Sequence, residues 1–231
     1  MRKSRCINLL LILILFAGLS LLLYPTVSDH WNSLHQSRAI FSYTEYVSAM
    51  DEKLCEQIWN AARAYNQALL ERSNWYVLEE DQAADYEQQL NISGNGIMGY
   101  VEIPSISCKM PIYHGTAESV LQIAAGHVEW SSLPVGGTSS HCVISGHRGL
   151  PSARLFTDLD KLKKGDVFLL HILNRTLTYE VDQVLVVEPQ EIEALQIEEG
   201  QDFCTLVTCT PYAKNTHRLL VRGCCKEQEN K

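Results

Sequence analysis

The chain has 231 residues, 46% hydrophobic and 20% charged, close to the globular average, which excludes a disordered, collagen-like or low-complexity chain. The net charge is −8, and once Arg2, Lys3 and Arg5 of the N-terminal tip are set aside, 16 Lys and Arg face 27 Asp and Glu, a net −11. So acidic a domain lacks the clustered bases that nucleic acid or an anionic membrane surface requires.

From Ile7 to Tyr24 only Asn8, Gly18 and Ser20 interrupt a Leu/Ile-rich run. At a rise of about 1.5 Å per residue these positions reach about 27 Å, near the thickness of a bilayer core. A cleaved signal peptide is the competing reading, because Gly18-Leu19-Ser20 is a small-x-small triplet; Leu21-Leu22-Leu23 follows where a polar mature start is expected, which favours an anchor. The bases precede the run, so the positive-inside rule sets the N-terminus in the cytoplasm and everything after Pro25 outside. The expectation is a single-pass protein of the cell membrane, in contact with lipid through residues 7–24, with no second span and a polar tail over 224–231.

Residues 25–38 read as a polar connector opened by a proline. Residues 39–71 hold no Gly or Pro, and Ile40, Tyr43, Val47, Met50, Leu54, Ile58, Ala61, Tyr65 and Leu69 step by three or four, the stripe of one long helix or two. The stretch 73–96 is rich in acids and amides and ends in Gly94-Asn95-Gly96, a turn signal. Residues 25–96 are therefore connector, helical extension and acidic segment. Beyond them β-branched runs alternate with Gly, Pro and Asn turns, the texture of an all-β domain over 97–223. Strands are predicted at 97–103, 110–113, 141–146, 166–173, 176–187, 202–209 and 216–222, with short helices or turns around 117–124, 153–162 and 190–196.

Eight cysteines in an exported chain first suggest disulfides, although Cys6 lies at the inner membrane edge and adjacent Cys224 and Cys225 would pair only under strain. Buried free thiols remain an alternative for Cys55, Cys108 and Cys142. Cys209 differs. It closes the apolar run Phe203–Thr208 just before a turn at Thr210-Pro211, where reactive groups are commonly displayed. A partner is needed to activate it, and His147 in Ser145-Gly146-His147-Arg148-Gly149 is the leading candidate. If 203–209 and 216–222 pair with 209 opposite 216, Arg218 lies diagonally across from Cys209, and Arg222 shares its parity farther from the turn. A guanidinium there would hold a developing oxyanion without losing its charge. Zinc is the rival use of His141, Cys142, His147, Cys204 and Cys209. Against it, Cys204 and Cys209 point to opposite strand faces and no C-x-x-C or H-E-x-x-H occurs. His114 and His217 read as structural or surface residues. Neither a metal nor another cofactor is expected.

These residues resemble a known family. Thr205–Tyr212 with Asn215–Gly223 looks like the active-site strand pair of class C sortases, the pilin polymerases of Gram-positive bacteria, and Ser145–Ala153 resembles their catalytic-histidine segment. Pro111–Thr116, Leu133–Gly137, Val27–Asn32 and Gln36–Ile40 also fit, so that the likeness runs from about residue 24 to 223. It implies an eight-stranded β-barrel with an N-terminal helical extension, and catalytic roles for His147, Cys209 and Arg218. The implied reaction is transpeptidation: Cys209 cleaves an LPXTG-like sorting signal at Thr–Gly, holds the acyl group as a thioester, and passes it to a pilin lysine. Thr208, beside the thiol, is expected to touch substrate. Family members of this class usually carry an Asp-Pro-aromatic lid. The corresponding Tyr76–Tyr86 has Asp81-Gln82 and no proline, so Glu80 and Asp81 are expected to form at most a loose acidic flap near Arg218. Many members also have a C-terminal membrane helix, which is not found here. The alternatives are a sortase attaching proteins to peptidoglycan and an inactive sortase-like adhesin or scaffold.

Overall fold

The computed structural model describes residues 2–72 and 76–230, the side chains at 2–6, 81 and 227–230 excepted. Eight strands, β1 (Ile97–Ile103), β2 (Cys108–His114), β3 (Ala125–His127), β4 (Ser140–Ser145), β5 (Val167–Ile172), β6 (Arg175–Val187), β7 (Asp202–Thr210) and β8 (His217–Asn230), close into a barrel in the order β1-β2-β3-β4-β7-β8-β6-β5. Alternation sorts their side chains: Cys142, Ile144, Cys204 and Leu206 join the main core, whereas Val143, Val207 and Leu220 form a separate cluster with Leu195. The pairs β2/β3 and β4/β7 are parallel and the rest antiparallel. The β4/β7 pair matters most, because neighbouring parallel strands end at the same rim.

All seven predicted strands are present, with two corrections. The stretch after 223, expected as a polar tail, is strand as far as Asn230, so the barrel runs past the expected boundary. The first half of the long β6 would otherwise present an open edge, and 224–230 pair with it from Glu180↔Cys224 to Arg175↔Asn230. β3 was not foreseen. It is three residues long, too short for a period, and centred on Gly126, whose added Cβ would lie 2.2 Å from the Gly115 carbonyl oxygen.

The helical extension also differs from expectation. Helix α1 (Arg2–Ser48) runs through Pro25 and absorbs the predicted connector 25–38. Proline removes one backbone donor, but the following turns are held on the barrel. Asp29 accepts from Arg154 N (2.8 Å), Asn32 donates to Ser152 O (2.7 Å) and Gln36 donates to Ile123 O (2.7 Å). Its window from Ile7 has a mean hydropathy of 2.6 and none of it is buried, which makes it a candidate membrane span. Farther along, Ile40, Tyr43 and Val47 pack on Ile97 and Tyr100. Helix α2 (Glu52–Leu69) starts at Asp51, whose carboxylate accepts from Lys53 N (2.8 Å). The break at 49–51 resets the helical phase. The buried stripe of α2 is Cys55, Trp59, Ala62, Tyr65 and Leu69, one residue on from the predicted Leu54, Ile58 and Ala61, and Leu54 is exposed. Asn66 then docks α2 like a strand edge, donating to Leu133 O (3.1 Å) and accepting from Leu133 N (2.7 Å).

Two short helices follow, α3 (Glu80–Gln88) and α4 (Glu118–Leu121). Single 3-10 turns at Leu159–Lys161 and Glu193–Leu195 fall in the other segments predicted as short helix or turn.

His141 is buried between Gln196 O (2.8 Å from Nδ1) and Thr205 Oγ1 (2.7 Å from Nε2). Burial disfavours its imidazolium and lowers its pKa. The folded state therefore resists a proton that the unfolded chain accepts below about pH 6.5. The stabilisation is present above that pH and is lost as pH falls. Melting of the detergent-solubilised chain between pH 7.5 and 5 is expected to show a steeper acid loss for wild type than for His141→Gln; parallel curves would count against it.

Candidate active site

Ser145, the last residue of β4, pairs with Val207 of β7 in parallel register, so two further steps along each chain bring residues 147 and 209 level at one rim. His147 and Cys209 are thereby neighbours, though 62 positions separate them in sequence. Two bonds hold the approach: Gly146 N donates to Val207 O (3.0 Å) and the Thr208 hydroxyl donates to Gly146 O (2.7 Å). Gly146 is required here, because an added Cβ would come within 2.5 Å of the buried Phe156 ring. The odd residues of β7 share the face of Val207, which places Cys209, partly exposed, away from the barrel core. Cys204 lies on the opposite, interior face with Cys142, so the candidate zinc ligands are divided between two faces. Among the described residues no group of three or more His, Cys, Asp or Glu side chains could hold a metal.

Arg218 pairs directly opposite Cys209, where a diagonal was expected. The last pair is Thr210↔His217, so the six-residue loop starts one residue later, at Pro211, whose carbonyl accepts from Lys214 N and Asn215 N. Both strands shift together, which preserves the face. The Arg218 guanidinium donates to His217 O (3.2 Å) and Asn215 O (3.4 Å), and no carboxylate among the described residues pairs with it. Arg222 sits opposite Thr205, bonds Asp182 through Nε (3.2 Å) and Nη2 (2.7 Å) and Glu198 through Nη1 (2.9 Å), and stacks on Phe203. Of the two arginines with the right parity, one is locked and the other is available at the rim.

Three further contacts were not read from the sequence. Glu118 of α4 reaches His147 (Oε2 to Nε2, 3.3 Å); hydrogen bonds from Gln122 and then His147 hold the Glu118 carboxyl below its ordinary pKa. Arg148 bonds Thr210 and Asp160. Tyr212 packs on Gly149, which has φ +78 and where a Cβ would lie 2.9 Å from the ring. The position of Arg148 between His147 and Gly149 was the signal available for it.

Other candidates do not converge. Thr208, expected to touch substrate, is 2% exposed and its hydroxyl donates to Gly146 O, an internal tie. Glu80 is exposed and makes no hydrogen bond or ion pair with Arg218 among the described residues; the Asp81 side chain lies outside them. The expected loose flap is pinned at its C-terminal end. Tyr86 is buried, its hydroxyl accepts from Gly115 N (2.9 Å), and it meets His127 Nδ1 at 3.0 Å. His114 is spent on Gly96 O and Gln89 O, and His217 contacts Thr216 and Glu188.

A thiol, an imidazole and a guanidinium bonded only to main-chain carbonyls at one rim can form a covalent intermediate, move a proton and hold an anion. Comparison with known proteins points the same way. The Sortase domain family model matches residues 101–225. A sortase A of Bacillus anthracis is 30% identical over 127 residues, 55% of this chain and 59% of that protein, so the chain spans less than two thirds of the length of this curated relative. Sortase C1 of Streptococcus agalactiae superposes with a TM-score of 0.80 at 52% identity, covering 82% of this chain and 98% of that one. A Clostridium perfringens sortase C, solved with the C-terminal cell wall sorting motif, gives 0.73 at 42% identity, covering 83% and 99%.

Proposed function

The chain belongs to the sortase family, and from that premise we propose that it is a membrane-anchored, pilin-polymerising cysteine transpeptidase with its barrel on the outer face. The observation that carries the chemistry is the parallel β4/β7 register, which levels His147 with Cys209 while β8 sets Arg218 opposite the thiol. The Cys209 thiolate attacks the threonine carbonyl carbon of an LPXTG-like signal, and Arg218 holds the oxyanion. The C–N bond breaks, His147 gives its proton to the departing glycine amine, and a thioester remains. A pilin lysine amine then attacks the thioester, His147 takes up its proton, and an isopeptide bond forms as the thiolate leaves.

The class reading is supported by the 52% identity to a sortase C1, and the substrate reading by the sorting motif solved with the C. perfringens enzyme. The membrane reading is supported by the apolar helix from Ile7 and the bases before it.

The test supplies an LPXTG-like peptide with two competing acceptors, a lysine-bearing pilin peptide and a peptidoglycan-precursor amine, and reads products and the Cys209 thioester by mass spectrometry. Predominant lysine isopeptide is expected. Predominant precursor conjugate would assign wall anchoring, and no thioester at all would assign a scaffold.

A further inference from the structure

The rim is tied together twice, in a bracketing pattern. Gly146 and Arg148 flank His147, and Thr208 and Thr210 flank Cys209. The Thr208 hydroxyl donates to Gly146 O (2.7 Å), and Arg148 Nη1 donates to Thr210 Oγ1 (3.2 Å). Each neighbour of the histidine is thus bound to a neighbour of the cysteine. On its far side Arg148 pairs through Nη2 with Asp160 Oδ2 (2.5 Å), on the 3-10 turn Leu159–Lys161. Phe156 N, just before that turn, donates to His147 O (3.1 Å), so the 156–160 segment supports the same loop.

We propose that Arg148 is a positioning residue that fixes His147 against Cys209 by clamping Thr210 to the turn bearing Asp160. This rests on the transpeptidase reading and deepens it. An exposed Arg–Asp pair would carry little meaning; Asp160 is 46% exposed, but the Arg148 side chain is only 9% exposed. Burying a guanidinium is costly unless its donors are well used, and Nε is buried with no partner among the described residues. Stability alone is therefore a poor account of it. What its contacts achieve is geometric: beyond the last ladder pair they add a side-chain clamp between the two strand ends to the Gly146–Val207 and Thr208–Gly146 bonds and the packing of Tyr212 on Gly149. Lysine, a single point donor, cannot span Thr210 and Asp160 together.

The test uses the full chain in detergent. Misplacement by about an ångström costs about a hundredfold, so Arg148→Ala is expected to lower kcat by about that factor while KM stays within about threefold. Arg148→Lys is expected to recover part of it. Thr210→Val, which removes only the acceptor, is expected to lose about tenfold or more, and it decides the matter if Arg148→Ala does not fold. The second readout needs no substrate: alkylation of Cys209 by iodoacetamide in Arg148→Ala, His147→Ala and the double variant. If Arg148 acts through the histidine, the double variant reacts no more slowly than His147→Ala alone. Additive slowing, or wild-type kcat and alkylation in Thr210→Val, would overturn the proposal. A non-additive alkylation cycle in a protein that forms no thioester with sorting peptides would sink the transpeptidase reading and leave the positioning role standing.

Discussion

Replacing Cys209 or His147 with alanine is expected to abolish peptide transfer, and Arg218→Lys to reduce it by about 10²–10³, the usual cost of removing an oxyanion donor. The argument for Arg218 is positional. It stands directly across the ladder from Cys209, and its guanidinium is bonded to main-chain carbonyls only, without a carboxylate among the described residues. Lysine keeps the charge but not the planar fork. The internal control is Arg222→Lys. This arginine has the same parity but is held by Asp182 and Glu198 opposite Thr205, so turnover is expected to stay near normal while folding stability falls modestly. The check is kcat/KM for cleavage of a fluorogenic sorting peptide across the set. Near-normal turnover in Arg218→Lys would pass the anion to backbone N–H groups at the rim.

The largest effect on stability is expected at Trp59. It is 1% exposed in the middle of the α2 stripe, with Arg175 stacked 4.4 Å from its ring centroid and Arg175 in turn paired with Glu56. Truncating a buried aromatic costs about 3–5 kcal/mol, against a total of about 5–15 kcal/mol for an ordinary domain. Trp59→Ala should therefore bring the chain close to unfolding and free α2 from the barrel. The Trp59 indole N–H is buried without a partner among the described residues, so Trp59→Phe forfeits no hydrogen bond and should cost distinctly less. Shifts in the urea midpoint at unchanged slope would measure both. Equal losses for the two variants would mean that the cation contact or the indole nitrogen matters more than ring volume.

Much of the barrel was legible because its strands carry their signal locally: β-branched runs between Gly, Pro and Asn turns have one ready interpretation. What escaped depended on partners. β3 is three residues long and exists because β2 and β4 flank it, and the end of β8 is polar strand only because β6 needs an edge. Helix α1 crosses Pro25, a residue that locally argues for a stop, because later turns are bonded to the barrel. At the site, strand ends and parity were enough to put Cys209, His147 and Arg218 at one rim, where the ladder places them. The register was off by one residue on each strand, since six-residue loops do not announce where they begin. Adjacency to the thiol says nothing of the face, so the inward turn of Thr208 with the even residues of β7 was not legible. Glu118 and Asp160 could not have been found from spacing, being 29 and 13 positions from His147.

Helix α1 has a mechanical consequence. With residues 7–24 in a bilayer, as proposed above, Asp29 is five residues past Tyr24, about 7.5 Å of axial rise. At that height it grips Arg154, and Asn32 one turn later grips Ser152, on the loop that leads back to His147. Anchor and rim are thus joined by continuous helix and direct bonds, a short gauge, whereas a flexible linker would let the barrel wander over a volume that grows with its length. Such a gauge sweeps a thin layer at nearly constant altitude, so its collisions are those of lateral diffusion. A substrate still threaded through the same bilayer presents its cleavage segment inside that layer, while a released one must find it from three dimensions.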